Sequence, residues 1–356
     1  MRYNLSNICD YVKGKIDVAV LDEDKYISTE NMMPNKGGIT RAASLPTVIQ
    51  TQAFLPGDVL VSNIRPYFKK IWFAEFDGGC SNDVLVFRAR DGINKRFLYY
   101  VLADDAFFEY SMATSKGTKM PRGDKAVIMK YEVPDFTYEE QEKIAGVLEA
   151  LDKKIQLNAE INNNLEQQAQ AIYCDMFITN VNPSWQLGRL SDLITVRYGK
   201  DHKKLADGIY PVYGSGGIMR YVEKPLYDKE SVLIPRKGTL NNVMYVNKPF
   251  WSVDTMFFTE MKLPNVAKFV FHFVKSKDLA SLNAGSAVPS MTTDILNAME
   301  LSIPDADTFY KFENIVAPLY QAMQQNTQES SKLAELRDSL LPRLMSGEID
   351  VSDIQL

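Results

Sequence analysis

A ladder of apolar residues occurs twice in this chain and carries polar rungs at the same two places each time. Steps of four and three alternate without a break through Ile144, Leu148, Leu151, Ile155, Asn158, Asn162, Leu165, Ala169, Ile172 and Met176. The ladder returns 168 residues later as Phe312, Val316, Leu319, Met323, Asn326, Ser330, Leu333, Arg337, Leu340 and Leu344. This is the spacing of a coiled-coil seam. Agreement over ten rungs, with Asn158 answered by Asn326, implies an internal duplication. An amide on an apolar seam costs stability but penalises slipped registers, because a slipped pairing buries it without a partner. Two such rods in one chain can partner each other, most simply antiparallel. The rival reading is a homodimeric coiled coil in which the Asn residues set the oligomeric state. Arg337 stands where the first copy has Ala169, so the two rods are not interchangeable.

The stretches between the ladders repeat as well. "LSNICDYVKGK" (5–15) matches "LSDLITVRYGK" (190–200), "CSNDVLVF" answers "WSVDTMFF", and "KGTKMP" answers "AGSAVP", pairing Gly117, Thr118 and Pro121 with Gly285, Ser286 and Pro289. A chain of 356 residues, 46% of them hydrophobic, can fill two cores. The expected order is a globule over 1–137, a helix over 138–178, a second globule over 179–304, and a helix and tail over 305–356. Strands are expected at Val59 to Ile64, Val84 to Arg88, Ser231 to Ile234 and Val243 to Val246. Shorter helices are expected at Lys95 to Tyr110 and Val266 to Leu282. Pro318 and Pro342 predict that the second long helix is kinked or shortened.

Charge separates along the same boundaries. The whole chain carries −5, and the segments 138–178 and 305–356 carry −5 each, so the remaining globular parts carry +5. Local basic surface is what a phosphate backbone responds to. Solvated acidic helix faces account for the rods equally well. Three cysteines without metal-like spacing, no apolar leader in "MRYNLSNICDYVKGK" and no run long enough to span a membrane predict a cytoplasmic protein.

"EEQEKIAGVLEALDKKIQLNAEINNNLEQQAQAIYCDMF" (139–177) and "LAELRDSLLPRLMSGEI" (333–349) closely resemble the central and C-terminal regions of the DNA specificity (S) subunits of type I restriction-modification systems. "LPGDVLVSNIRP", "YPVYGSGGI", "LIPRKGT" and "GSAVPSM" resemble segments of that family's target recognition domains. The resemblance spans the whole chain in the right order. It implies an α+β architecture of two mixed α/β target recognition domains in pseudo-twofold repeat, separated by two long antiparallel helices that form an intramolecular coiled coil. Each domain would read half of a bipartite, asymmetric site in double-stranded DNA, with the helices fixing the unread gap. The implied partners are two methyltransferase (M) subunits, which carry S-adenosylmethionine and methylate adenine, together with restriction (R) subunits. This chain itself would hold no cofactor and no catalytic residue.

The residues offer little to an enzyme reading. "NPSW" (182–185) lacks the second proline of an adenine-methyltransferase motif, "YGSGGIMR" misses GxGxxG, and "RKGT" reverses the order of a phosphate-binding GK[ST]. His202 and His272 are the only histidines, and there is no HExxH or Cys/His cluster. Pro134-Asp135 before "EEQEK" lacks the spacing of a nuclease core. A catalytic fusion of recognition with methylation or cleavage, and a coiled-coil scaffold without DNA binding, stay as alternatives.

DNA reading needs cations for phosphates and guanine, with amides and hydroxyls for adenine and backbone. In the first globule the candidates are Arg41, Arg65, Tyr67, Lys69, Lys116, Thr118, Lys119, Arg122 and Lys125. In the second they are Arg197, Tyr198, Lys200, His202, Lys203, Lys204, Tyr213, Ser215, Arg220, Arg236, Lys237, Thr239, Asn241, Asn242 and Ser286. Most sit in Gly-punctuated loops, where specificity is carried on a rigid scaffold.

Overall fold

The computed structural model describes residues 2–117, 119–282 and 290–352. The chain divides into two compact units, Met1–Ala159 with Thr327–Leu356, and Glu160–Asn326. Each unit thus contains one globular part and a stretch of both long helices.

In the first unit a four-stranded antiparallel sheet has the order Cys9–Tyr11, Val84–Ala89, Val59–Ser62, Ile71–Phe73. Val59–Ser62 is an inner strand and is buried along its whole length. Its alternation serves two layers. Val59 and Val61 join Leu85 and Phe87 in a core with the helices Lys95–Ala103 and Asp105–Ala113, while Leu60 joins Val84 and Val86 against a second sheet. That second sheet has the order Lys15–Asp17, Gln50–Phe54, Gly78–Cys80, Tyr26–Ile27, the last pair being parallel.

The second unit repeats the plan. Ile194–Tyr198, Met256–Met261, Ser231–Pro235 and Met244–Val246 form the corresponding sheet in the corresponding order. Val232 and Ile234 face the helix Ala267–Lys275, and Leu233 faces a three-stranded sheet that also ends in a parallel pair. Duplication is therefore visible in strand order as well as in sequence.

Three expected helix boundaries move. The expected helix 95–110 is broken at Asp104, whose extended backbone ends one helix and whose carboxylate accepts from Ala106 N at 3.1 Å to start the next. The expected helix at 266–282 covers only Ala267–Lys275. The second long helix is not shortened: Ala306–Met345 runs 40 residues through both prolines, against 37 for Tyr138–Cys174, which ends in a π turn. Pro318 and Pro342 free the carbonyls of Asn314 and Asp338, and all four residues are exposed, so water can take the missing hydrogen bonds.

All twenty ladder residues are buried or half-buried, whereas Leu157 and Ile161, off the ladder, are exposed. In the first unit the helical segments run antiparallel. Arg337 meets Asp152 at 2.7 Å, and the Asn158 amide donates to Glu329 Oε2 at 2.8 Å and Ser330 Oγ at 3.2 Å. In the second unit the Asn162 amide donates to the Met323 carbonyl at 3.2 Å, and the Asn326 amide donates to Asn162 Oδ1 at 2.9 Å. Asn158 with Ser330 and Asn326 with Asn162 are the same pair under the repeat. Polar rungs therefore meet polar rungs.

A polar clamp ties each globular part to the rods at an equivalent position, with different chemistry. In the first unit Tyr100 donates to Asp152 Oδ2 at 2.7 Å, and Arg337 holds the other oxygen. This is what the arginine on the seam does. In the second unit the fully buried His272 has Nδ1 2.8 Å from Gln170 Oε1 and Nε2 2.9 Å from the Tyr320 hydroxyl. An amide oxygen only accepts, so Nδ1 donates and Tyr320 donates to the bare Nε2. Burial pushes this imidazole down to about 4, and Lys275 adds to the shift. A free imidazole titrates near 6.5, so the unfolded chain takes up the proton first. The neutral clamp is at full strength above about pH 6.5 and loses on the order of 2–3 kcal/mol as the pH falls toward 4. Urea denaturation of wild type and His272→Gln should show a gap in stability at pH 7.5 that narrows at pH 4.5. A gap independent of pH would contradict the assignment.

Candidate nucleic-acid interface

In the first unit the inner strand continues past Ser62 into Asn63, Ile64 and Arg65, which are bridged to the loop that contains the basic candidates. Ile64 forms a bridge with Arg122, Arg122 forms another with Lys116, and Arg65 N donates to the Pro121 carbonyl at 2.8 Å. Arg65, Tyr67, Lys69, Lys116 and Arg122 thus come together. Lys116, 83% exposed, contacts Asp124 at 2.8 Å; Arg122 contacts Asp83 at 3.0 Å; Lys69 contacts Asp105 at 2.7 Å. The Asp124 carboxyl is held below its ordinary value by the Lys116 hydrogen bond and by the Val127 and Ala126 amides. Exposed pairs of this kind are worth little, ~0–1 kcal/mol, so the cations can exchange carboxylate for phosphate. Lys119 is exposed in the same loop, Lys125 is exposed at the start of the short helix Lys125–Ile128 that follows it, and Thr118 lies outside the described residues. Arg41 is in another loop, paired with Glu23 and Asp24.

The second unit builds the same backbone frame. The strand Ser231–Pro235 runs on into Arg236 and Lys237, whose amides both donate to the Thr255 carbonyl, at 2.8 and 3.2 Å. Met291 N donates to the Arg236 carbonyl at 2.9 Å, as Gly123 N does to Asn63 at 3.4 Å, and Lys237 bridges Ser290 as Ile64 bridges Arg122. The Arg236 guanidinium lies 5.3 Å over the Tyr198 ring and donates to the Asp254 carbonyl at 3.3 Å. Asn242 donates to the Ser215 carbonyl at 2.8 Å, which brings the tip of the hairpin to the same spot. Lys200 joins through its amide to Ser252 at 2.8 Å, and Lys237 and Thr239 are exposed.

The remaining candidates separate from this cluster or are engaged structurally. Lys203 and Lys204 are exposed beside His202, whose Nδ1 is buried. Arg197 pairs with Glu260 at 3.0 Å and Arg220 with Asp207 at 2.7 Å. Asn241 donates to Asp278 at 3.0 Å and accepts from Ala280 N, so it fixes a loop. Tyr213 corrects its expectation: only 8% exposed, it packs in the core with Phe250 at 6.2 Å, because strand alternation turns it inward. Ser286 lies outside the described residues. Lys36, which shares Asp105 with Lys69, and Phe68, whose ring lies against that of Tyr67 at a tilt, are absent from the sequence candidates; the "NKGG" turn string was the available signal.

The family model for the type I restriction modification DNA specificity domain matches the chain twice, over residues 2–167 and 182–336. The chain therefore belongs to that family: it is a type I restriction-modification specificity subunit with two repeated specificity domains. It is similar to the MjaIX specificity subunit of Methanocaldococcus jannaschii, 22% identical over 74% of this chain and 71% of the relative. The HindI specificity subunit of Haemophilus influenzae is 22% identical over 98% of this chain and 99% of the relative. A crystallised S subunit of a type I system from M. genitalium superposes with a TM-score of 0.59 at 19% identity, covering 97% and 96% of the two chains. That last likeness concerns the fold alone.

Gly238 has φ 86°, and a Cβ there would lie 2.9 Å from Ser215 Oγ. Gly238→Ala should therefore cost about 1–2 kcal/mol in urea denaturation and loosen the hairpin tip. A neutral substitution would show that this contact does not hold the cluster.

Proposed function

We propose that this chain is the non-catalytic DNA-recognition subunit of a cytoplasmic type I restriction-modification complex. The first unit reads one half of a bipartite, asymmetric duplex target and the second unit reads the other. The long helices act as an intramolecular antiparallel coiled coil that fixes the unread gap and docks two M subunits, on which S-adenosylmethionine is bound and adenine is methylated. R subunits join that assembly for cleavage. The observation that carries the reading is the shared frame with divergent side chains: Arg65 and Arg122 in one copy stand where Gly238 and Ser290 stand in the other. A common scaffold with different side chains supports two readers of different sequence. Among the described residues no helix is long and apolar enough to cross a membrane, and no group of three or more potential metal-ligating side chains occurs.

Methylation-sensitive sequencing of DNA from cells expressing the chain with its M subunit tests the proposal. A split motif with two unlike halves is expected; methyl transfer by the purified chain alone would overturn it in favour of a catalytic fusion. Absent or salt-independent duplex binding would favour a scaffold. In fluorescence anisotropy, Lys237→Ala should weaken binding across sequences and lower the salt slope by ~1, whereas Arg122→Ala should relax one position of one half-site by ~1–3 kcal/mol. Equal losses for both substitutions on matched and mismatched duplexes would contradict the division into phosphate grip and base reader.

A further inference from the structure

Five described residues other than glycine have left-handed backbone, and four of them meet at one place: Asn35 (φ 54°), Lys36 (φ 61°), Arg65 (φ 52°) and Lys69 (φ 50°). Asn35 N donates to the Phe68 carbonyl at 2.8 Å and Lys36 N to the Lys69 carbonyl at 2.9 Å. Phe68 N reaches the Arg65 carbonyl at 3.0 Å and Lys69 N the Pro66 carbonyl at 2.8 Å, while Pro66 is buried. Side chains rarely adopt this conformation, and it persists only where surrounding contacts over-determine it. What the clamp holds outward is a pair of aromatic rings. Tyr67 is 49% exposed and Phe68 37%, with centroids 4.7 Å apart and planes at 51°.

We infer that the turn Pro66–Phe68 is a stacking wedge, in which Tyr67, backed by Phe68, packs against an unstacked base step of the half-site that the first unit reads. The inference rests on the DNA-recognition reading above and names what this part of the site touches. Charge argues for a nucleic acid as the occupant. Lys36 and Lys69 share the single carboxylate of Asp105, at 2.9 and 2.7 Å, and Lys70 Nζ lies 5.7 Å from the Phe68 centroid. Arg65 is bonded to the loop that presents Arg122 and Lys116. A purely apolar protein partner would gain nothing from this ring of cations, whereas a phosphate backbone on either side of an opened step would.

The second unit shows that the wedge is not a general feature of the frame. There Gly238 takes the place of Arg65, and Leu240, only 2% exposed, that of Tyr67. A wedge in one copy alone gives the two halves different means of discrimination: one half-site is sensed partly through how easily a step opens, which depends on its sequence. The rigid turn also loses little conformational freedom on binding.

The test uses the full chain in complex with its M subunits, and duplexes carrying the motif found by methylation sequencing. The fluorescent purine 2-aminopurine replaces one purine at a time in the half-site of the first unit, with the methylated adenine left natural. Wild type should raise the fluorescence several-fold at one step. Tyr67→Ala should abolish that rise and weaken binding roughly 10-fold with the salt slope unchanged, and Tyr67→Trp should restore both. Both positions are exposed, and thermal denaturation of each variant is the check that it folds. Sequence-specific binding with no rise at any step, or a rise that survives in Tyr67→Ala and Phe68→Ala, overturns the wedge and leaves the recognition reading standing. Release of M subunits by Tyr67→Ala with DNA affinity and fluorescence unchanged overturns it in favour of a protein contact. Failure to bind the motif duplex at all overturns both readings.

Discussion

The amides on the helical seam are the constraint from which the rest of the structure follows. Asn158 bonds across to Glu329 and Ser330, and Asn326 bonds to Asn162. A slip by one rung would keep one polar pair but set the other two polar rungs against apolar ones, Asn162 on Met323 and Ser330 on Ile155 in one direction, Asn158 on Leu333 and Asn326 on Leu165 in the other, and a buried amide without a partner costs ~1–3 kcal/mol. Apolar rungs alone would tolerate such slips. The register in turn sets both cores, since Ile144, Ala145 and Leu148 share the first with Leu341, Leu344 and Met345, and Ala169 and Tyr173 share the second with Phe312 and Val316. It also brings Asp152 between Tyr100 and Arg337, and Gln170 and Tyr320 to either side of His272.

On that base the molecule separates what is shared from what differs. Strand order, the parallel pair that closes each second sheet, and the bridge between the inner strand and the following loop are common to both copies. The residues carried at the loops are not. Backbone hydrogen bonds do not depend on side-chain identity, so a frame built from them can be retained while its side chains diverge. The clamps diverge in the same way: an ion pair with a tyrosine in one copy, a neutral imidazole between an amide and a phenol in the other.

Much of this is legible in the sequence, for a physical reason. Heptad spacing is a local property of a helix, so the ladder and its polar rungs can be read without tertiary information, and all twenty rungs are at least half-buried. Repetition supplied the second globule from the first. Less legible is whatever depends on neighbours distant in the chain. Pro318 and Pro342 predict a kinked or shortened helix, but their cost depends on whether the freed carbonyls can reach water, and the residues that carry them are exposed. Asp104 interrupts a helical run because its side chain caps the next helix. Tyr213 looks like a loop reader from its glycine-rich setting, yet strand alternation buries it. The left-handed cluster at Asn35, Lys36, Arg65 and Lys69 joins two segments some thirty residues apart and leaves only a turn string behind.

The central claim, that polar rungs select one register and that register fixes the unread gap, is tested most directly by replacing Asn162 and Asn326 together with leucine and sequencing the DNA methylated in cells that also express the M subunit. The account predicts the same two half-sites with methylation spread over more than one gap length. A single gap, unchanged from wild type, would contradict it.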